Sequence, residues 1–246
     1  MSRIVEWYAI TPMRSSGKLK IKCPSCTPHE RKQENKNNKD MAVDYDSGKA
    51  FCHNCGAVSF KEQKEMKTYD LPNKTNVTKI SQEAVDYFES RGISQQVVND
   101  NKISMRNGNI MFPYLQNGQL INFKTRGIKD KKFGQATNAK PIMFNYDRCV
   151  GQSNIIITEG EFDAMSWHEV GLLFATSVNQ GAPNVNDKNV DSKLECVTNC
   201  YEALFEKAEI VYIGVDNDPK GKRLEKELIR RIGIEKCKIV DFSPYK

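Results

Sequence analysis

Two cysteine pairs constrain the N-terminal part of this chain more than any other feature. Each is a C-x-x-C pair, and 25 residues separate the two. One pair can direct two thiolates to an ion, and two pairs complete a closed tetrahedral site. The sequence therefore predicts a structural zinc in a small ribbon domain, with His29 or His53 able to replace one ligand and with free thiols or redox pairs as the alternative. The predicted ligands are Cys23, Cys26, Cys52 and Cys55.

The other four cysteines are scattered along the chain and do not suggest a disulfide framework. No apolar run approaches the roughly 20 residues needed to cross a bilayer, and the N-terminus lacks the apolar core of a signal peptide. We therefore expect a cytoplasmic protein without a membrane partner, whose scattered cysteines are ordinary thiols.

The charge balance favours a polyanionic partner. Thirty-seven lysines and arginines outweigh 31 acidic residues, which leaves a net charge of +6. Trp7, Tyr8 and Phe51 accompany basic residues around the cysteines, a combination that suits single-stranded nucleic acid because bases stack on rings while cations pair with phosphates. A solvated loop face explains many of these lysines equally well. The basic residues are Arg14, Lys18, Lys20, Lys22, Arg31, Lys32, Lys36 and Lys39.

Patterning divides the chain into four parts. Residues 1–60 carry the cysteines, residues 61–78 are polar without hydrophobic periodicity and are predicted to be a linker, and residues 79–152 begin a packed region. A helix is predicted over 81–98, with Ser81 as its N-cap and a break at Arg91-Gly92. Short strands are predicted from three runs, NIMFPYL, GQLINFKTR and KPIMFNY.

Residues 153–246 have the pattern of an α/β domain. Four short apolar runs (IIIT, LLFAT, IVYIGV and CKIVDF) alternate with segments suited to helices at 161–171, 187–208 and 220–232. This alternation predicts a parallel sheet flanked by helices, and in such sheets chemistry gathers at the carboxyl ends of the strands.

Acidic residues lie at those predicted strand ends. Glu159 and Asp163 follow IIIT, and Asp216 and Asp218 follow IVYIGV. Carboxylates that converge at one edge of a sheet suit Mg²⁺ or Mn²⁺, because these ions bind a few carboxylates together with substrate phosphates. Helix capping could explain Asp218 alone. A calcium loop starting at Asp216 is disfavoured, because a strand precedes it and a lysine stands at its fifth position.

These motifs resemble a known family. E-G-x-x-D after one strand and D-x-D after a later strand resemble the Toprim domain of primases, topoisomerases, recombination mediators and some nucleases. The whole chain is similar to the primase half of bacteriophage primase–helicases. The further matching segments are Arg91-Gly92-Ile93-Ser94, Phe112-Pro113-Tyr114, Gly118, Lys124-Thr125-Arg126, Lys131-Lys132-Phe133 and SVNQGA at 177–182.

The resemblance implies a role for each matching residue. Glu159, Asp216 and Asp218 would hold the catalytic metal, with Asp163 in support. Lys124 and Lys131 would hold nucleotide phosphates in a basic RNA-polymerase subdomain over 79–152, and the Toprim domain would cover 153–246. Further nucleotide contacts are expected from Arg126, Lys132 and Lys140. In the ribbon, Lys49 and Phe51 would contact the template.

The function implied is that of a DNA primase, which makes short RNA primers on single-stranded DNA from ribonucleoside triphosphates. A replicative helicase, fused or separate, is the expected partner, and a phage protein would act in the host cytoplasm. A zinc-bearing Toprim recombination mediator without catalysis is the alternative. A nuclease or topoisomerase is disfavoured because a topoisomerase needs a large gate domain. The chain has no G-x-x-x-x-G-K-[ST] loop and stops before a further acidic stretch usual in the family, so we expect a primase fragment or a naturally short primase.

Overall fold

A computed structural model describes residues 3–10, 16–26, 37–61 and 67–243. The chain forms two compact units, Met1–Thr68 and Tyr69–Lys246, which are treated separately below. Arg14, His29, Arg31, Lys32 and Lys36, named above for the ribbon, lie outside the described residues.

The first unit is an antiparallel four-stranded sheet in sequential order. Alternate side chains point to one face, where they form a small core together with two of the cysteines. A 3₁₀ turn at Trp7–Ala9 precedes the sheet, and Trp7 packs edge-on against Tyr45. The strands are β1 (Lys18–Ile21), β2 (Met41–Asp44), β3 (Lys49–Cys52) and β4 (Val58–Phe60).

The second unit opens with a five-stranded antiparallel sheet in the order β5-β6-β7-β8-β9. Two short helices, each capped by a serine, precede most of it; the predicted helix over 81–98 is divided by Gly92, which has φ +73°. The elements are β5 (Val77–Thr78), α1 (Gln82–Glu89), α2 (Gln95–Asp100), β6 (Ser104–Arg106), β7 (Asn109–Gln116), β8 (Gln119–Arg126), β9 (Phe133–Gln135) and α3 (Tyr146–Cys149).

A four-stranded parallel sheet follows, in the order β11-β10-β12-β13. Its strands and helices alternate as the apolar runs predict, and the α/β class with a parallel sheet is confirmed. The elements are β10 (Asn154–Thr158), α4 (Glu161–Glu169), β11 (Ala175–Ser177), α5 (Val190–Lys193), α6 (Glu195–Cys200), a π-helical turn (Tyr201–Phe205), β12 (Ile210–Gly214), α7 (Pro219–Ile232) and β13 (Cys237–Ile239).

The strand order creates a switch point between β10 and β12. From β10 the chain passes to β11 on one side, whereas from β12 it passes to β13 on the other. Parallel crossovers are almost always right-handed, so the two connecting helices, α4 and α7, cover opposite faces of the sheet. The loops that leave β10 and β12 therefore diverge and leave a crevice between them, the usual ligand position in such sheets.

Two predicted elements differ from the structure. The run KPIMFNY is not a strand: Pro141 has no N–H to donate to a ladder, and Ile142, Met143 and Phe144 are buried as core anchors before α3. The single helix predicted over 187–208 is instead α5, α6 and the π-helical turn, because the backbone leaves helical geometry at Leu194.

The predicted linker over 61–78 is in its later part bound to the second unit. Tyr69 donates a hydrogen bond to Glu195 (3.0 Å), and the Asp70 backbone and side chain both pair with Asn138. Arg106 donates to two carbonyls of the same stretch. These polar residues are ordered by hydrogen bonds that hydrophobic periodicity does not reveal.

One continuous core joins the two sheets of the second unit. The Phe162 ring of α4 lies 5.1 Å from Phe88 of α1 and 5.2 Å from Phe112 of β7, measured between ring centroids. The predicted subdomains 79–152 and 153–246 therefore share their hydrophobic interior, and α4 is the element that packs between them.

Candidate functional site

The four predicted cysteine ligands converge in the first unit. Cys23 Sγ lies 3.7 Å from Cys55 Sγ, Cys26 Sγ lies 3.7 Å from Cys52 Sγ, and all four sulfur atoms lie within 4.8 Å of one another. A tetrahedral ion with Zn–S bonds of about 2.3 Å would hold its sulfurs about 3.8 Å apart. The spacing therefore fits a four-thiolate metal site.

Local backbone geometry sets up this cluster. Gly56 has φ +69°, a left-handed conformation that glycine adopts without strain, and its N–H donates to the Cys52 carbonyl (2.9 Å). Asn54 Nδ2 donates to Cys26 Sγ at 3.4 Å. Burial raises the pKa of the Cys23 thiol to about 12, with the neighbouring thiols adding to the effect. Such crowded, buried sulfurs become thiolates only when a cation balances their charge.

The predicted template residues of the ribbon share one face. Along β3 the exposure alternates, so that Lys49 and Phe51 point outward while Ala50 and Cys52 point inward. Phe51 is 46% exposed and packs edge-on against the His53 ring at 5.1 Å between centroids. This face presents a cation and an accessible ring beside the metal site.

In the second unit, Glu159 and Asp216 meet at the switch point. Glu159 follows β10 directly, Asp216 lies two residues beyond β12, and the two strands are paired in register from Asn154↔Ile210 to Thr158↔Gly214. Both side chains line one cleft of about 650 Å³ together with Asp163. Gly221 permits the sharp turn here, since a Cβ at that position would lie 2.0 Å from the Asp216 carbonyl oxygen.

These carboxylates act on one another. Burial raises the pKa of Glu159, and the charges of Asp216, Asp218 and Asp163 raise it further, against one hydrogen bond from the Ala182 backbone. The pKa of Asp163 is raised by burial and then by Asp216. Glu159 Oε2 is buried and finds no hydrogen-bond partner within the described chain. A carboxylate oxygen in that position fits a divalent cation.

Asp218 also acts as the N-cap of a helix. Its carboxylate accepts a hydrogen bond from Gly221 N (2.7 Å) and caps α7, which is the alternative that capping rules allow. Asp163 similarly accepts from Gly160 N (3.0 Å) at the start of α4. Over the described ranges, the four cysteines are the one group of three or more potential ligands whose atoms lie within 4.8 Å of one another. Among the described residues, Glu159, Asp163 and Asp216 line the cleft and Asp218 does not, and the four carboxylates form no equally tight cluster.

The opposite wall of the cleft comes from β8 and β9. Register pairs Arg126 with Phe133 and Lys124 with Gln135, so these four side chains project from the same face of the sheet, and all four line the cleft. Arg126 lies over the Phe162 ring at 4.8 Å, and Arg91 lies over the same ring at 4.7 Å. Cations and carboxylates thus face each other across one crevice.

Lys124 differs from the exposed lysine that a phosphate-binding role would suggest. Its side chain is 12% exposed, and its ammonium lies 3.0 Å from both oxygens of Glu161, whose side chain is 4% exposed. The Tyr114 hydroxyl also donates to Glu161. Burial and the Glu161 charge together raise the pKa of Tyr114 well above its usual range. Lys124 is therefore part of a buried network at the cleft wall.

The remaining predicted cations lie outside the cleft lining. Lys131 is exposed in the loop between β8 and β9, and Lys132 is exposed and pairs with Asp130 at 3.3 Å. The Lys140 carbonyl accepts a hydrogen bond from Asn122 at 3.0 Å. Of this basic group, only Lys124 and Arg126 line the cleft.

Sequence reasoning assigned no role to Glu161, Arg91 or Phe133. Glu161 stands inside the E-G-x-x-D motif, and its burial could have been suspected from its position at the start of a helix that follows a buried strand. Its partners on β7 and β8 are 47 and 37 residues away in sequence, so no local pattern reveals them.

No helix among the described residues is long and apolar enough to span a membrane.

The chain is similar to known proteins in sequence and in fold. A family model described as the Toprim domain matches residues 154–244. The "Primase homolog protein" of Arabidopsis thaliana is 34% identical over 168 residues, which is 64% of this chain and 49% of that protein. The "Twinkle homolog protein, chloroplastic/mitochondrial" of the same plant is 34% identical over 165 residues, 63% of this chain and 23% of that protein. The chain thus spans about half the length of one relative and less than a quarter of the other.

Two solved structures share the fold. The primase fragment of the bacteriophage T7 primase-helicase protein has a TM-score of 0.54 at 20% identity, covering 90% of this chain and 89% of that one. The second structure is a complex of the bacteriophage T7 lagging-strand DNA polymerase with primase domains bound to an RNA/DNA hybrid and dTTP. It has a TM-score of 0.53 at 22% identity, covering 71% of this chain and 86% of that one. Residues 154–244 are therefore a Toprim domain, within a chain that has the fold of a phage-type primase fragment.

Proposed function

We propose that this chain is a DNA primase that synthesises short RNA primers on single-stranded DNA from ribonucleoside triphosphates. One observation carries the proposal: Glu159 and Asp216 meet at the switch point of a Toprim sheet, and Lys124 and Arg126 line the opposite wall of the same cleft. A triphosphate needs a divalent cation and basic side chains together, because it bears several negative charges that grow in the transition state.

The acidic side of the cleft would bind the metal. Glu159 and Asp216 would be the main ligands, with Asp218 and Asp163 completing or orienting the set. Bound Mg²⁺ or Mn²⁺ would neutralise triphosphate charge and acidify the attacking 3′-hydroxyl. Asp218 already caps α7, so it would orient the Asp216 loop as well as contribute charge.

The basic side would position the triphosphate. Arg126 and Lys124 are held by rings and by Glu161, so they would contact phosphates with little loss of conformational freedom. Lys131, Lys132 and Lys140 would attract the polyanion from outside the cleft through their charge.

The first unit would read the template. Zinc at the four cysteines would hold β1 and β3 together, and the outer face of β3 would offer Lys49 to phosphates and Phe51 to bases. A replicative helicase, fused or separate, is the partner we propose, since one similar structure is part of a primase-helicase.

A primer-synthesis assay tests the proposal. The full chain would be incubated with pooled single-stranded DNA templates, labelled ribonucleotides and Mg²⁺, and short RNA products would be resolved by size. We expect Asp216→Asn to lower synthesis by about 100-fold or more, because metal coordination supplies several kcal/mol of transition-state stabilisation. Binding of single-stranded DNA should remain near the wild-type level.

The matched control is Glu209→Gln. Glu209 is exposed at the opposite, amino end of the same strand β12, so the substitution removes one negative charge without touching the cleft. It should synthesise primers normally. Primer synthesis by Asp216→Asn at the wild-type rate would contradict the proposal, and an inactive wild type that still binds single-stranded DNA would favour the recombination mediator.

A further inference from the structure

Phe133 occupies an unusual place for a large apolar side chain. It begins β9, an edge strand of the antiparallel sheet, is 63% exposed, and lines the acidic and basic cleft. Single exposed apolar residues are common on protein surfaces, so exposure alone indicates nothing. Its surroundings are what distinguish it.

Two cations lie against the Phe133 ring. Lys124 Nζ lies 5.0 Å from the ring centroid, and the Arg126 guanidinium carbon lies 5.7 Å from it. Cations within about 6 Å of a ring centroid are attracted by the quadrupole of the ring and favour this arrangement. Within the described part of the chain, Phe133 makes no ring–ring contact, whereas Phe88, Phe112 and Phe162 pack together in the core.

The cleft therefore offers an accessible aromatic surface next to basic side chains and next to carboxylates. A ligand that matches all three has a flat ring and a polyanion in one molecule. Nucleotides have both, and stacking of a base on an aromatic side chain is independent of the base's identity. An aliphatic or purely anionic ligand would leave either the ring or the charges unused.

We propose that Phe133 is a stacking platform for a nucleobase in the cleft. The proposal rests on the proposed function in that the cleft must receive nucleotides. The base belongs either to a ribonucleoside triphosphate or to the single-stranded template, and the two sources share the same chemistry.

Equilibrium binding tests the proposal without requiring turnover. Wild type and Phe133→Ala would be titrated calorimetrically with ATP, with inorganic triphosphate, and with an oligo-dT strand, each in the presence of Mg²⁺. We expect Phe133→Ala to weaken binding of a base-bearing ligand by about five- to 100-fold. Binding of inorganic triphosphate, which has no base, should change by less than about twofold. The ligand that loses affinity, ATP or oligo-dT, identifies the source of the base.

Two further variants separate stacking from simple apolar contact. Phe133→Trp retains a flat surface and should bind like wild type, with indole fluorescence quenched by the base-bearing ligand and not by triphosphate. Phe133→Leu keeps apolar bulk without a flat face and should resemble the alanine variant. Ile234→Ala removes an exposed apolar side chain elsewhere and serves as the control that leaves all three ligands unaffected.

The outcomes distinguish this proposal from the function on which it rests. Unchanged affinity for both base-bearing ligands in Phe133→Ala, or an equal loss for triphosphate, would overturn the stacking role while the primase function stands. A wild-type protein that binds neither ATP nor oligo-dT would overturn both. A thermal midpoint equal to that of wild type would show that each variant is folded.

Discussion

The two units of this protein are stabilised in different ways. The described core of the first unit is a cluster of ten buried residues from one small sheet and its flanking segments, and Cys23 and Cys52 are part of it. The second unit has a continuous core of aromatic and aliphatic side chains that joins two sheets and seven helices among its described residues. We therefore expect the first unit to depend on a metal bound by its four cysteines, and the second to fold on buried apolar surface.

The difference also explains where charged groups can be buried. A segment of about 60 residues buries too little apolar surface to be stable on its own, and in such segments metal binding supplies the missing free energy of folding. The larger core of the second unit tolerates groups that are costly to bury, such as the Lys124–Glu161 pair and the crowded Glu159. Hydrophobic packing in the second unit thus supports buried charges that the smaller core of the first unit could not support without a metal.

Loss of the metal should produce the largest effect. We expect Cys52→Ser, or treatment with a strong chelator, to unfold the first unit, because apparent zinc-binding energies of about 10–16 kcal/mol are folding energy in small domains. The second unit should keep its unfolding transition. Metal analysis would give one zinc per chain for wild type and none for the variant, and limited proteolysis would show cleavage confined to the first unit.

Cys237→Ser is the control for this comparison. Cys237 lies on β13 of the second unit and is not one of the four clustered cysteines, so its replacement should leave the zinc content at one. A metal-free wild type that resists protease in its first unit would show that the small core is sufficient alone.

Removal of Lys124 should have the next largest effect. Although a lysine on a nucleotide-binding surface would contribute little to folding, Lys124→Ala leaves the buried Glu161 carboxylate with Tyr114 as its remaining described partner. Breaking a buried ion pair costs about 3–5 kcal/mol, and urea unfolding of the second unit would measure the change.

Lys131→Ala is the matched control, since Lys131 is an exposed lysine in the connection that follows β8, the strand of Lys124. It should change stability by no more than about 0.5 kcal/mol. The double variant Lys124→Met with Glu161→Gln should regain part of the stability lost in Lys124→Ala, because no charge is then left buried. Equal unfolding free energies for the two alanine variants would show that Glu161 does not need Lys124.

A smaller effect should appear on acidification. His168 is buried; its Nε2 donates to the Ala175 carbonyl (2.9 Å), and its Nδ1 lies 3.1 Å from Asn101 Nδ2, an arrangement that suits the neutral ring. Burial lowers the pKa of His168 below 6.5, and the Arg148 charge lowers it further. The unfolded chain then binds more protons, so stability should be complete above about pH 6.5 and fall as the pH falls below it.

Urea unfolding of the second unit between pH 5 and pH 8 would measure this dependence. His168→Gln should be less stable at pH 8 by about 1 kcal/mol, the net value of a buried hydrogen bond. Its unfolding free energy should also depend less steeply on pH than that of wild type, because the histidine no longer titrates. An identical slope in wild type and variant would assign the acid sensitivity to other groups.

Much of the architecture was predictable from local pattern. The four-cysteine cluster follows from the spacing of the pairs. The strands β7 and β8 follow from short strand-like runs bounded by turns, and β10 and β12 follow from short apolar runs. The run KPIMFNY failed as a strand because apolar composition also marks a buried irregular segment. The later part of the predicted linker became ordered through hydrogen bonds of Tyr69 and Asp70, which carry no periodic signal.

The sequence by itself determined which groups exist at which strand ends. Glu159 and Asp216 must follow β10 and β12, because side-chain chemistry and strand periodicity are local properties. Only the tertiary structure decided that β10 and β12 are neighbours at a switch point, that Lys124 is buried against Glu161, and that Phe133 stands exposed between cations. Strand order and burial depend on contacts between residues tens of positions apart, and a local pattern contains no information about such partners.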